Sequence, residues 1–297
     1  MSGEKNRKKV PRDPSSRWPE ILLSAPSLLW LSVFFVIPTI IVGMIAFKPP
    51  SIYGGIGEGW TLDTIRSLAQ PSYPQIIWRT LWLSALTTAF SILLAVPVSY
   101  WLATIPPRRR NLMLLLVILP FWTNFLIRIF AWKTILHPEG WIKNGLMALG
   151  IVGKDVSLLY NEGAILLVLV YTYLPFAILP IYAAADKFDF NLMSAALDLG
   201  ANKLRAFWSI FLPGIRVGLI TAVLVVFIPA LGSYAIPEIV GGPNSEMIGN
   251  RIAQRTFSDR NLPHASALAA ILAAVVLTPV VVMQLRQIAS THRRPSA

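Results

Sequence analysis

"MSAALDLGANKLRAFWSIFLP" (residues 193–213) lies between two long apolar runs, and its reading decides what kind of chain this is. Asp198, Lys203 and Arg205 bar it from a bilayer interior, where a charge at mid-helix costs about 2.5–3.5 kcal/mol. Leu204, Phe207, Trp208 and Phe211 recur at helical spacing, so it is no plain loop either. The stretch reads as two short helices. Asp189 caps the first, near 190–199, by accepting amide protons of the opening turn. Gly200 ends it, because glycine alone turns cheaply into a left-handed cap. The second helix covers 202–212, and Pro213 opens the next apolar run. An amphipathic connector lying on lipid accounts for the second helix. It accounts poorly for the first, whose "SAALDLG" offers too little apolar area to hold a membrane. Small side chains instead let another protein approach closely.

The flanking composition is that of a membrane protein. Of 297 residues 55% are hydrophobic and 13% charged, where a soluble domain carries roughly a quarter charged. Mean hydropathy is +0.61. Six runs are long enough to span a bilayer: 21–47, 81–104, 112–136, 163–185, 213–237 and 264–283. The first is too long for a signal-peptide core and lacks a small-x-small cleavage site, so it reads as a retained span. Seven prolines (38, 97, 120, 175, 180, 229 and 279) fall inside the runs, each removing a backbone donor. Ordinary helix packing and a bundle bent around a pathway both accommodate them.

The net charge of +12 invites a nucleic-acid reading, but the basic residues cluster at span edges. With the N-terminus inside, the inner segments hold 16 Lys and Arg and the outer ones 7, which predicts both termini in the cytoplasm. Residues 193–213 then face the cytoplasm too. No nucleic-acid partner is needed.

Enzyme chemistry is not indicated. There is no cysteine, the three histidines (137, 264 and 292) are scattered, and no nucleophile elbow or zinc motif occurs. "ALGIVGKD" (148–155) lacks the first glycine and the terminal Ser/Thr of a phosphate loop and reads as a turn. No metal or cofactor is expected, and any ATPase must be another chain. A secondary transporter, the third class weighed, would show repeats of broken helices, and none stands out.

Polar residues inside the spans mark a candidate solute pathway. Arg128 is the costliest of them, with Asn124 one turn earlier on what reads as the same helix face. In "YAIPEIVGG" (234–242), Glu238 follows Pro237, with Tyr234 one turn before it. An aromatic face and a carboxylate suit an organic cation. Arg128 fits that solute only if it pairs with a carboxylate such as Glu238. Asn124, Arg128, Tyr173, Tyr234 and Glu238 form the candidate set. Residues 241–260 include a short re-entrant or external helix, and of two readings for Glu246, Arg251, Arg255 and Arg260, a contact surface for an external protein or a solvated charged face, the solvated face is favoured.

Residues 194–213 resemble the coupling loop of binding-protein-dependent ABC importer permeases: E-A-A, three residues, G, nine residues, I-x-L-P. Ala195, Ala196, Gly200, Ile210, Leu212 and Pro213 match at full spacing, with Asp198 and Leu199 inside the loop. Ser194 stands where that family has Glu. "PFWTNFLIRIFAW" (120–132), "YLPFAILPIYAA" (173–184) and "GSYAIPEIVGGPNSEMIGNRI" (232–252) are similar to spermidine/putrescine-type permeases. "RTLWLSALTTAFSILLAVPVSYWLA" (79–103) resembles the family's second span, with Arg79 where Asn is usual.

The resemblance implies an all-α membrane protein of type I ABC importer permease architecture, in a bacterial inner membrane. It implies a second permease subunit, two ATPase subunits and an external solute-binding protein, with membrane lipid around them. The solute is a polyamine or, within the same family, an opine, a phosphonate or another small solute. The expected layout is a basic tail (1–20), a first span and external loop (21–77), a permease core (78–288) containing the coupling loop (189–213), and a second tail (289–297).

Overall fold

The computed structural model describes residues 17–70 and 72–292, with side chains from Leu22 onward (279, 280 and 283–292 excepted). Most basic residues of the two tails, Lys5 to Arg12 and Arg293 with Arg294, lie outside it, as does the Pro279 side chain. The described residues are helical throughout, joined by turns and one isolated bridge between Pro50 and Ile56.

Three helices are long and apolar enough to cross a membrane: α1 (Leu22–Ile45), α3 (Ser72–Thr104) and α7 (Glu162–Ala185). A one-turn helix, α2 (Asp63–Ser67), lies between the first two. At 1.5 Å per residue α3 is about 50 Å long, so its ends project beyond a hydrocarbon core of about 30 Å.

Two further helix pairs are long and apolar enough only when taken together, and each is sharply bent. α4 (Pro107–Ile118) runs through a 3₁₀ turn (Leu119–Trp122) and meets α5 (Phe125–Ile135) at 90°. After α6 (Trp141–Ala148), α7 and α8 (Asn191–Asp198), α9 (Lys203–Gly214) meets α10 (Arg216–Leu231) at 70°. Two short helices follow, α11 (Ala235–Val240) and α12 (Ile248–Ala253), and then the 31-residue α13 (Leu262–His292). Within α13 the apolar stretch is Leu262–Thr278.

Two of the expected spans therefore change shape. The run 112–136 is not one helix: Pro120 removes a donor, Asn124 is extended (φ −59°, ψ 135°), and the chain turns there. The run 213–237 ends as a helix at Leu231, and Pro237 with Glu238 belongs to the separate α11. "ALGIVGKD" is the turn expected of it, with Gly150 at φ +69° closing α6.

α3, α7 and α10 pack on one another and carry most of the buried core. Small residues permit close contact there: Ala95, Ala177 and Ala222 are fully buried. A Cβ on Gly218 would stand 2.6 Å from both the Ala184 methyl and the Pro180 carbonyl, so α10 lies directly against α7. α1 rests on α13, and α5 packs on α11.

Candidate functional site

The segment 189–213 is assembled from local rules. Asp189 Oδ1 accepts the Asn191 amide at 3.0 Å and starts α8. At its far end Gly200 adopts φ +88°. Its amide donates to the Leu197 carbonyl (2.9 Å) and the Ala201 amide to the Ala196 carbonyl (3.0 Å). Those two bonds make a Schellman cap. Asn202 Oδ1 then accepts the Arg205 amide at 2.7 Å and starts α9.

Within α8, Ala196 faces inward while Ser194, Ala195, Asp198 and Gly200 are exposed, and Leu199 is 89% exposed. α9 is fastened by rings. Phe211 is fully buried, with centroids 5.0 Å from Tyr100, 5.3 Å from Phe188 and 5.3 Å from Phe207. Ile210 and Leu212 are half-buried, and Pro213 is exposed in the last turn. The expected aromatic stripe splits: Phe207 and Phe211 turn inward, whereas Leu204 and Trp208 stand out from the protein (67% and 58% exposed). A π-helical turn over Phe207–Phe211 shifts the register between the two pairs. Between α8 and α9 lies a cavity of about 580 Å³ bounded by Ser194, Met193, Leu197, Leu204 and Phe207.

On the same side, Arg110 at the start of α4 holds Asp186 at the end of α7 (2.6 Å). The sequence reading missed this pair, and also Phe188 and Phe190. The Phe188-x-Phe190 spacing beside the charged turn was the available signal.

The candidate pathway residues fall into separate groups. Asn124 is a cap: its Oδ1 accepts the Leu126 amide at 2.8 Å. Asn124 and Arg128 are one turn apart as expected, the Arg128 amide donating to the Asn124 carbonyl (3.3 Å), but they occupy the first turn of α5 and not the middle of one continuous span. Arg128 lies in the first turn of α5, over Phe121 (5.4 Å) and Phe125 (5.9 Å), with Nε buried and without a hydrogen-bond partner. The Phe121 ring meets Phe176 edge-on at 4.9 Å, and Phe176 lies 6.2 Å from Tyr173. The Tyr173 hydroxyl donates to the Pro229 carbonyl at 3.2 Å. Arg128 and Tyr173 are thus joined by a ledge of rings.

Tyr234 and Glu238 line a second cavity of about 270 Å³, together with Glu246, Asn250 and Phe257. Glu238 accepts from Asn250 Nδ2 at 2.7 Å, so the pairing with Arg128 considered above is not made. Arg251 binds Glu246 (3.0 Å) and Gln254 (2.7 Å), and Arg255 binds Asp259 (2.8 Å) and the Tyr73 hydroxyl (2.9 Å). Those arginines are tied into the fold and do not form a free solvated face. Arg79 bridges α3 to Glu162 at the start of α7 (2.6 Å). Among the described residues, no group of three or more His, Asp or Glu side chains is placed to hold a metal.

The profile of the family described as binding-protein-dependent transport system inner membrane component matches residues 95–290. This chain belongs to that family. It is a permease subunit of an ABC importer and a multi-pass protein of the bacterial inner membrane. Spermidine/putrescine transport system permease protein PotB of Haemophilus influenzae is 36% identical over 239 residues, covering 80% of this chain and 84% of its own length. PotB of Escherichia coli K12 is 32% identical over 247 residues, covering 83% and 90%. Among solved structures, a bacterial ABC transporter that imports the acidic polysaccharide alginate superposes with a TM-score of 0.67 at 20% identity, covering 94% of this chain and 98% of its own. That likeness is one of fold.

Proposed function

We propose that this chain forms one half of the translocation pathway of a polyamine importer. A second permease subunit completes the path, two ATPase subunits drive it from the cytoplasm, and a periplasmic protein delivers the solute. In this reading the permease has six spans, with α4/α5 and α9/α10 each counting as one and α13 as the sixth. Both termini are cytoplasmic, 1–20 and 289–297 are tails, 21–77 carries the first span and its external loop, and 78–288 is the permease core. Residues 189–213 are the coupling loop.

The observation that carries the reading is α8. It is an eight-residue helix with an exposed small-residue face, closed by Gly200 and held to the bundle by buried rings. Such a helix is shaped to enter a groove and to pass its movement on. The polyamine assignment is supported by the names of the PotB relatives and by Glu238 and Tyr234 in one cavity. Co-purification of the permease with its ATPase, followed by ATP-dependent uptake of labelled spermidine in proteoliposomes, tests it. A complex that hydrolyses ATP but leaves spermidine outside would refute the solute.

Arg128 favours a second reading. It forms no ion pair among the described residues, and it sits at a helix N-terminus, where a cation gains nothing from the dipole. An opine or phosphonate would supply the missing anion. Arg128→Gln separates the two: it abolishes uptake of an anionic solute and spares that of a cationic one.

A further inference from the structure

One face of α3 carries an unusual file of hydroxyls. Thr80, Ser84, Thr87, Ser91 and Ser99 follow one another at helical spacing along the side that packs on α7 and α10. The two ends of the file are bonded. Thr80 Oγ1 accepts the Ile248 amide at 2.9 Å, and Ser99 Oγ donates to the Ile178 carbonyl at 3.2 Å. The middle three are not. Ser84, Thr87 and Ser91 are each 0% exposed, and their hydroxyls have no hydrogen-bond partner.

A serine or threonine in a membrane helix ordinarily bonds the carbonyl four residues back. Thr88 does so on the same helix, to Ser84 O at 2.7 Å. Its three neighbours forgo that bond within a tightly packed, small-residue seam. Each unpartnered buried hydroxyl weighs against the closed seam by about an order of magnitude in its equilibrium.

The geometry points to a seam whose three middle hydroxyls meet no protein partner in this state and are hydrated when α3 separates from α7 and α10 during transport. Ser84, Thr87 and Ser91 then line hydrated space, and the penalty they carry when closed keeps the closed and open packings near balance. The bonded ends act as latches: Thr80 with the nearby Arg79–Glu162 pair at one end, Ser99 at the other. This proposal rests on the reading of the chain as an ATP-driven permease.

The chain has no cysteine, so single cysteines can be placed in the otherwise native protein. Ser84→Cys, Thr87→Cys and Ser91→Cys are made in the complete transporter in lipid nanodiscs, where both faces meet solvent. Their reaction with a small water-soluble methanethiosulfonate is timed at rest and with binding protein and a non-hydrolysable ATP analogue. Ala267→Cys, buried against the Tyr73 side of α13, is the control. The expected result is a rate at least about tenfold higher in the engaged state at all three positions and unchanged at the control. Equal rates in both states, with ATP-driven uptake intact in the parent, overturn the seam. Absence of ATP-driven uptake in the parent overturns the transport reading instead. The variant Ser84→Ala/Thr87→Val/Ser91→Ala removes the unpartnered groups at nearly constant shape. It lowers turnover several-fold while leaving ATPase association unchanged; wild-type turnover in this variant also overturns the proposal.

Discussion

In the proposed coupling loop Gly200 holds the most demanding backbone conformation, and its replacement separates two explanations of its role. At φ +88° a side chain with a Cβ costs about 1–2 kcal/mol, whereas asparagine tolerates this region better. Nothing lies within 4 Å of a Cβ built on Gly200, so in the free permease the cost is conformational and not steric. If α8 must keep its Schellman cap to dock, Gly200→Ala lowers the population of the docking-competent loop roughly 5- to 30-fold. Gly200→Asn lowers it by much less. The loop is exposed, so the melting temperature of the purified permease moves little in either variant. The assay is solute taken up per ATP hydrolysed in proteoliposomes supplied with binding protein. A graded loss, Ala worse than Asn, is the expected outcome. Equal and severe losses would mean that any Cβ collides with the ATPase, which would refute the backbone argument. Full coupling in Gly200→Ala and in the bulkier Gly200→Asp would remove the docking role altogether.

Three further outcomes follow from the same geometry. Gly214→Ala drives a methyl into the Phe188 ring and lowers stability by about 1–3 kcal/mol in thermal unfolding, and Phe188→Leu in the same chain recovers part of it. Glu238→Gln lowers uptake without reducing ATPase co-purification, and Asn250→Ala, which frees Glu238 from its 2.7 Å partner, changes the apparent affinity for solute; unchanged uptake kinetics in both would remove this cavity from the pathway. The partly exposed Arg110–Asp186 pair contributes at most about 1 kcal/mol in a double-mutant cycle on thermal stability, and the coupling energy shrinks as salt is added.

What was legible in the sequence was local. Asp189, Gly200 and Asn202 announce the caps of α8 and α9 because each acts within three residues of itself, and each does so in the structure. The break at 119–124 was not legible. The residues around it are apolar enough to read as one span, and proline alone does not distinguish a kink from a 90° turn. That misreading placed Asn124 and Arg128 inside a continuous span, whereas they form the first turn of α5 just after the bend. The partner of Glu238 was also hidden, since Asn250 lies 12 residues on and reaches it only after the chain reverses between α11 and α12. The outward Trp208 and inward Phe211 were placed on one stripe because a regular helical period was assumed where the chain makes a π-helical turn.

A docking helix does work only if its displacement reaches a part of the bundle that has two arrangements. From α8 the path is continuous. Phe190, preceding the helix, meets Tyr100 of α3 at 6.0 Å, and Phe211 of α9 meets the same ring at 5.0 Å. Beyond Phe211, Gly214 lies pressed against Phe188, and Gly218 lies against α7. In the proposed reading a push on α8 arrives at α3 through Tyr100 and at α7 and α10 through the two glycines. Those helices are the two sides of the seam that holds Ser84, Thr87 and Ser91. Tyr100 follows directly on Ser99, the bonded end of the hydroxyl file nearer α8 and α9. In the proposed reading the 189–213 segment and the seam are two ends of one mechanical element joined at Tyr100, and Tyr100→Leu, which removes the ring contacts to Phe190, Phe207 and Phe211, lowers solute taken up per ATP hydrolysed in proteoliposomes; unchanged coupling in this variant would refute the link.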